Sequence, residues 1–471
     1  MTLSARWLLL LGAVVAAVTM LGIPAHATYG ARVTADEPQY LLSAISLGDD
    51  LDLDIADEIG RRAERPFHAA NLDPQTEPDD AGRQFSPHDP GLPVLLAVPM
   101  RLGGWAAAKA FLALCAGALA AATAWLANRR FAVPPRWAVA TVGVFALATP
   151  LSVYATQVYP ELPAALVVVV SVAAITGSLR TRAIVLVAVA IAALPWLSVK
   201  YAPVAASVAL LAVLQLRKRP RAAAALVVAL AVQGAIYLVV HKMIYGGWTV
   251  YASGDHFSQT GEFSVVGVDP DYVARTPRLI GLLVDRQFGL VAWAPGWLLL
   301  LPALGALARR RPPGSPALVV PAITGWLVAT YVALTMHGWW WPGRQIVVIV
   351  PLLVVVIAWW LPQVRWSAPV LAVAAVLGVG SWVWTELEAI TRHRTLVVDF
   401  MDTANPWYRL WQHGLPDHRR SGGVDDLLTM VWLVIAAGLV VYGWRSAKRT
   451  DATPSRSTGI DASTLPVTAR R

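Results

Sequence analysis

The sequence predicts an all-α polytopic membrane protein of about twelve transmembrane helices, and three observations carry that reading. Of 471 residues, 57% are hydrophobic and only 14% charged, against about 25% charged in soluble domains, so lipid must solvate most of the surface. Apolar runs recur at the length of about 20 residues that a hydrocarbon core of about 30 Å requires. Lys and Arg gather in short clusters at every second connection between those runs, the pattern of cytoplasmic helix ends. The net charge of +9 belongs to those clusters, so nucleic acid is discounted as a partner. A single cysteine, Cys115, inside an apolar run, leaves neither an intramolecular disulfide nor a thiolate metal cage.

Along the chain, residues 1–24 form the first helix, with Arg6 ahead of an apolar stretch. The same residues also read as a secretory signal, with Ala25-His26-Ala27 resembling a cleavage site. Residues 25–104 form an outer loop holding 14 of the 29 acidic residues, which makes it a distinct element rather than a connector. Residues 105–445 form the helical domain. Including the first helix, the spans are expected at 7–24, 105–128, 136–156, 162–179, 183–199, 201–216, 222–241, 288–307, 316–336, 345–362, 367–385 and 425–444. Longer outer loops fall at 242–287 and 386–424, and the Ser, Thr, Pro and Arg of 446–471 predict a disordered cytoplasmic tail. Basic clusters at Arg129 and Arg130, Arg180 and Arg182, Arg217 to Arg221, Arg309 to Arg311, Arg365 and Arg445 place both termini in the cytoplasm. The chemically unusual connections then face outward.

Candidate chemistry lies in those outer connections. In TADEPQYLLSAISLGDD, Asp36 and Glu37 stand beside the membrane surface, ahead of a short helix expected from about Pro38 to Leu47. This helix is expected to lie in the interface and hold Asp36 over a cavity. Alternatively the two acids only cap that helix, favoured by its N-terminal dipole. The proline- and glycine-rich SPHDPGLPVLLAVPMRLGGW predicts a re-entrant or surface segment. YATQVYPELPA sets Glu161 at the outer mouth, where an acid needs a partner or water; a solvated turn acid is the alternative. Lys200, Arg286, Arg344 and His337 stand at outer helix ends, able to hold a phosphate or simply to anchor their helices by snorkelling. Trp339, Trp340 and Trp341 fit an interfacial belt or a sugar-stacking surface.

The order of these segments, with an outer Asp-Glu after the first helix, HDPGLP, YPELPA, DRQFGL with WAPGW, and a late WWWPGR, resembles bacterial membrane proteins of the GT-C glycosyltransferase superfamily, nearest to its protein mannosyltransferase and aminoarabinose transferase branch. The resemblance spans roughly residues 1–360. It implies a polyprenyl-phosphate-linked sugar donor, a cell-envelope glycan, lipid or protein acceptor reached from the outer face, and inversion at the anomeric carbon. It also implies Asp36 as general base on the acceptor hydroxyl, with Glu37 and Glu161 as further acids. Lys109, Lys200, Arg286 and Arg344 are then candidates for the donor phosphate, and Tyr40, His88 and His337 for substrate binding. Such a reaction needs a carboxylate near the acceptor and cations near the departing phosphate.

The first loop is longer and more acidic than the resemblance leads one to expect. Two roles are open to it, selecting an acceptor or holding a divalent cation such as Ca²⁺, Mg²⁺ or Mn²⁺, although it lacks the ligand spacing and central Gly of a calcium loop; no residue is assigned to a metal. No GxGxxG or P-loop appears, so no nucleotide donor is expected. Two other classes stay open, a secondary transporter or flippase and a non-catalytic scaffold. A transporter predicts repeated halves and acids at mid-bilayer; no convincing repeat is present, and nearly all acids sit at the outer rim.

Overall fold

The computed structural model describes residues 2–249, 270–420 and 422–447. The centre of the 242–287 loop and nearly all of the predicted tail lie outside the described residues. Among those described, the regular elements are helical, and β-structure is limited to three isolated bridges, two of which, Ala31 with His68 and Asp54 with Phe85, fold the first loop on itself.

The first helix, α1 (Ala5–Met20), packs along α4 (Gly91–Phe131). Between them lie α2 (Glu37–Asp49) and the one-turn α3 (Ala56–Gly60). The sequence placed α2 in the lipid interface; instead every residue from Glu37 to Ala44 is buried, because α2 packs on α4. The stretch read as re-entrant is helical: from Gly91 it continues into the span through a kink at Gly103 and Gly104, where Gly104 takes φ +63°, a value that glycine adopts without strain. Val94, Val98 and Leu102 stay exposed before that kink.

The chain then runs through α5 (Pro135–Ala146), the short α6 (Leu151–Tyr154), α7 (Glu161–Ile175), α8 (Thr181–Leu197), α9 (Ala202–Gln215) and α10 (Pro220–Tyr245). After the undescribed stretch come α11 (Tyr272–Arg275), α12 (Arg278–Val284), α13 (Leu290–Trp293), α14 (Leu300–Arg310) and α15 (Ser315–Leu327). The last four are α16 (Val350–Trp360), α17 (Ser367–Ile390), α18 (Pro406–Trp411) and α19 (Val424–Ser446). Each expected span has helix at its place, though three are broken, that at 345–362 by the turn between the 3₁₀ segment Arg344–Ile346 and α16. The span expected at 288–307 is α13, a 3₁₀ turn over Pro295–Leu299, then α14; a proline at 295 removes an amide and fixes φ. That at 136–156 is interrupted between Ala146 and Leu151. Five helices among the described residues are long and apolar enough to cross a membrane, and five shorter apolar ones accompany them; α10 and α19 bury only about a tenth of their apolar windows, as helices turned mainly to lipid do.

The arginine clusters meet at one end of the bundle. Arg130 at the end of α4 donates to the Ala173 carbonyl in α7, Arg219 to Leu179 O, Arg309 to Trp444 O at the end of α19, and Arg310 to Gln363 after α16. Arg130 and Arg309 thereby cap carbonyls in the last turns of α7 and α19, where a cation also meets the negative end of the dipole. The connections at the other helix ends carry the candidate chemistry.

Candidate active site

Four chain segments bring their charges together around Arg344. Asp36 immediately precedes α2, Glu161 is the first residue of α7, Lys200 lies in the turn between α8 and α9, and Arg344 opens a 3₁₀ turn ahead of α16. The residue before Arg344, Gly343, has φ +85°, so the chain reverses there at a conformation a side chain would strain. Arg344 Nη2 donates to Asp36 Oδ2 at 2.8 Å and its Nε to Glu161 Oε1 at 3.0 Å. The guanidinium lies 3.8 Å from the centroid of the Tyr159 ring, a cation–π contact. Lys200 Nζ donates to the same Glu161 Oε1 at 2.7 Å. Two carboxylates and two cations thus share one buried site, an arrangement that water-excluding surroundings make electrostatically strong.

Asp36 keeps 22% of its side chain exposed, against 1% for Glu161, so of the two acids it is the one a substrate hydroxyl can reach. Burial pushes the Asp36 carboxyl up, but the Arg344 charge, His88 and the bonds from Arg344 and Gln75 outweigh it and hold the group well below the usual carboxylate range. Gln75 Nε2 donates to Asp36 Oδ1 at 3.2 Å and its Oε1 meets His88 Nε2 at 2.9 Å. His88 stacks on Tyr40, ring centroids 4.7 Å apart, and burial pulls its imidazole below the ordinary value. Asp89 beside it is buried and accepts from Tyr237 Oη, His241 Nε2 and the Val199 amide, fastening α10 and the α8–α9 turn to the segment that carries His88. Asp89 and Tyr159 lie inside the HDPGLP and YPELPA segments but were not singled out there as site residues, and nothing in its local pattern distinguishes Gln75. The WWWPGR and YPELPA segments did flag Arg344 and Glu161.

The other candidates separate from this cluster. Glu37, proposed from sequence as catalytic, is fully buried and has both oxygens engaged by backbone, Oε1 by the Val158 amide at 2.6 Å and Oε2 by Thr34 N at 2.9 Å. It joins the start of α2 to the segment before α7, which makes it a positioning residue. Lys109 lies buried in α4 and donates to the Arg32 carbonyl at 2.8 Å, holding the segment that leads to Asp36; its charge also opposes the rise that burial imposes on Glu37. Arg286 makes its polar contacts elsewhere, with the Leu415 carbonyl and, at 3.4 Å, Asp425, so it braces the last outer loop against α19. His337 faces Asp285 at 3.5 Å, not Asp36. Asp285 is itself buried and accepts from the Gln287, Phe288 and His418 amides, tying three outer connections together.

Several buried polar atoms near Arg344 have no protein partner, among them Tyr159 Oη, Glu161 Oε2 and Tyr201 Oη. Buried polar groups are ordinarily satisfied, so these three suit a polar ligand. Acids able to surround a hard cation occur in the first loop, where oxygens of Asp50, Asp57 and Glu58 lie within 4.8 Å of one another, outside the Arg344 cluster.

Neither a protein-family model nor a curated protein sequence matches the chain. Among solved structures, ArnT from Cupriavidus metallidurans, crystallised with undecaprenyl phosphate, is similar, with a TM-score of 0.53 over 94% of this chain and 77% of that one at 16% identity. The likeness is one of fold: the chain shares the helical architecture of that structure.

Proposed function

We propose that the protein is an integral-membrane glycosyltransferase that moves a sugar from a polyprenyl-phosphate donor to a cell-envelope acceptor, at the end of the bundle where Arg344 binds Asp36 and Glu161. That paired engagement is the observation that carries the reading; the fold shared with a protein crystallised with undecaprenyl phosphate supports it. In this reading Asp36 takes the proton of the acceptor hydroxyl as its oxygen attacks the anomeric carbon. The bond from that carbon to the phosphate oxygen breaks with its electron pair leaving on phosphate, and attack from the opposite face inverts the centre.

Arg344 and Lys200 are the cations for the leaving phosphate. A base held far below the ordinary carboxylate range is a poor proton acceptor, and Arg344 is what holds Asp36 there. Donor phosphate competing for the Arg344 guanidinium would loosen that pair and raise the basicity of Asp36, so donor binding and base activation are coupled. The site lies on the outer face of the plasma membrane, with both termini cytoplasmic.

Transfer of radiolabelled sugar from polyprenyl-phosphate donors, in membranes carrying matched amounts of wild-type or Asp36→Asn protein, tests this. Loss of transfer in the variant alone is the expected result. Equal transfer from both removes Asp36 as base, and none from either with any donor favours a transporter or scaffold.

A further inference from the structure

A second cationic site lies apart from Arg344. The chain leaving α1 and the turn following α17 enclose a cavity of about 280 Å³ lined by His26, Tyr29, Arg32, Arg65, Phe67 and Arg392 among others. Its walls are tied by backbone: His26 N donates to Ala389 O, Leu396 N to His26 O, Val397 N to Ala27 O, and Arg32 N to Phe67 O. The cavity therefore exists before any ligand arrives. No ion pair neutralises Arg32, Arg65 or Arg392 among the described residues. Arg32 is placed by an aromatic face, its guanidinium 4.9 Å from the Trp105 ring, and by the Pro24 carbonyl at 3.2 Å. Arg392 adopts φ +61°, a left-handed conformation that costs a non-glycine residue about 1 kcal/mol or more and turns the chain sharply at the rim.

Asp399, whose partner Tyr29 lines the cavity, is engaged by the Tyr29 hydroxyl at 2.5 Å, by the amide and hydroxyl of Thr395 and, at 3.9 Å, by Arg394. His26 Nδ1 is buried on the cavity wall without a partner, and burial together with Arg32 and Arg392 pulls that imidazole below its ordinary value. Three guanidinium groups without carboxylate partners make a receptor for a tetrahedral oxyanion, which planar guanidinium forks match.

We propose that this cavity is an anion subsite that binds a phosphate group of the acceptor or of a neighbouring lipid, at the depth of the headgroups. Its depth follows from its position, between the chain leaving α1 and the turn following α17, with Arg32 lying against Trp105 just past the α4 kink. The role as an acceptor subsite rests on the transferase reading; the binding itself does not. Three charge-assisted contacts would hold the anion four residues upstream of Asp36, on the segment that Lys109 fastens.

The test uses the full-length protein in zwitterionic nanodiscs, with inorganic phosphate as probe and the unfolding midpoint as readout. Phosphate is expected to raise the midpoint in a saturable way, and Arg65→Gln with Arg392→Gln to weaken apparent affinity by about tenfold or more. Both side chains are exposed, so the variant without phosphate should unfold with wild type. Discs doped with phosphatidylglycerol separate the sources: if the lipid abolishes the phosphate response in wild type, the headgroup is the occupant, and if not, a soluble or glycan-borne phosphate is. No response to either anion, or an equal response in the double variant, overturns the proposal. Asp36→Asn protein should bind phosphate undiminished, so the subsite stands or falls independently of transfer.

Discussion

Arg344 is the residue on which the candidate site turns, because one guanidinium satisfies two carboxylates and lies on an aromatic face at once. A lysine there keeps the charge and loses the fork, so it reaches one carboxylate and leaves the other underpaired. Arg344→Lys is therefore expected to lower sugar transfer roughly 10²-fold or more while the purified protein still unfolds cooperatively; transfer within threefold of wild type would show that the bridge is not needed. A different residue supplies a pH signature. Burial and then the hydrogen bond with Asp57 push the Glu58 carboxyl from 4.5 up to about 8, against the pull of Arg61. Its folded value is raised, so the contribution favours the fold below about 4.5 and is lost as pH rises through about 8. The unfolding midpoint should fall across that window in wild type and fall less in Glu58→Gln, and parallel pH curves for the two proteins would remove Glu58 as the cause.

At the scale of the element, close helix approach depends on glycine. A Cβ on Gly443 would run into the Pro302 carbonyl, and one on Gly305 into Val440 O, whereas Gly438 in the same helix faces open space. Small residues let helix backbones meet in a membrane, where no hydrophobic force between helices drives them together. Gly443→Ala should separate α14 from α19 and destabilise by about 1–3 kcal/mol, read as a lowered detergent-solubilised unfolding midpoint. Gly438→Ala, which meets nothing, should leave it unchanged or raise it slightly, alanine being the better helix former; an equal loss from the two would remove the close approach at Gly443 as the cause. The same scale shows what the sequence could tell. Apolar length located the helices because lipid imposes that length on every span. It could not show that α2 is buried on α4, since that depends on a packing partner distant in sequence, and apolar length alone also passed over the 3₁₀ turn that starts at Pro295. The prolines and glycines of the segment ending at Gly103-Gly104 marked it as something other than an ordinary span, re-entrant or surface-lying, but not as a helix joined to the next span through a kink at that pair.

Over the whole molecule, alternating charge is the feature that sequence exposes best, and it sorts the candidate site. Asp36, Glu161, Lys200 and Arg344 were picked for lying on connections opposite the arginine clusters, and the structure joins them; Arg286 and His337 satisfied the same criterion and belong to separate braces around Asp425 and Asp285. Which end of the bundle a connection occupies is thus readable from sequence, whereas convergence at that end is not. The sidedness itself is an expectation that a labelling experiment decides. Cys115 is the single cysteine, so a Cys115→Ala background is free of thiols. Asp80→Cys and His413→Cys fall on exposed connections at the Asp36 end, and Lys218→Cys and Pro313→Cys on exposed connections at the arginine end. In intact cells a membrane-impermeant maleimide should label the first pair, and should reach the second pair only after permeabilisation, because short basic loops are retained in the cytoplasm. The reverse pattern would put Asp36 and Arg344 inside the cell and exclude a reaction with acceptors at the outer surface.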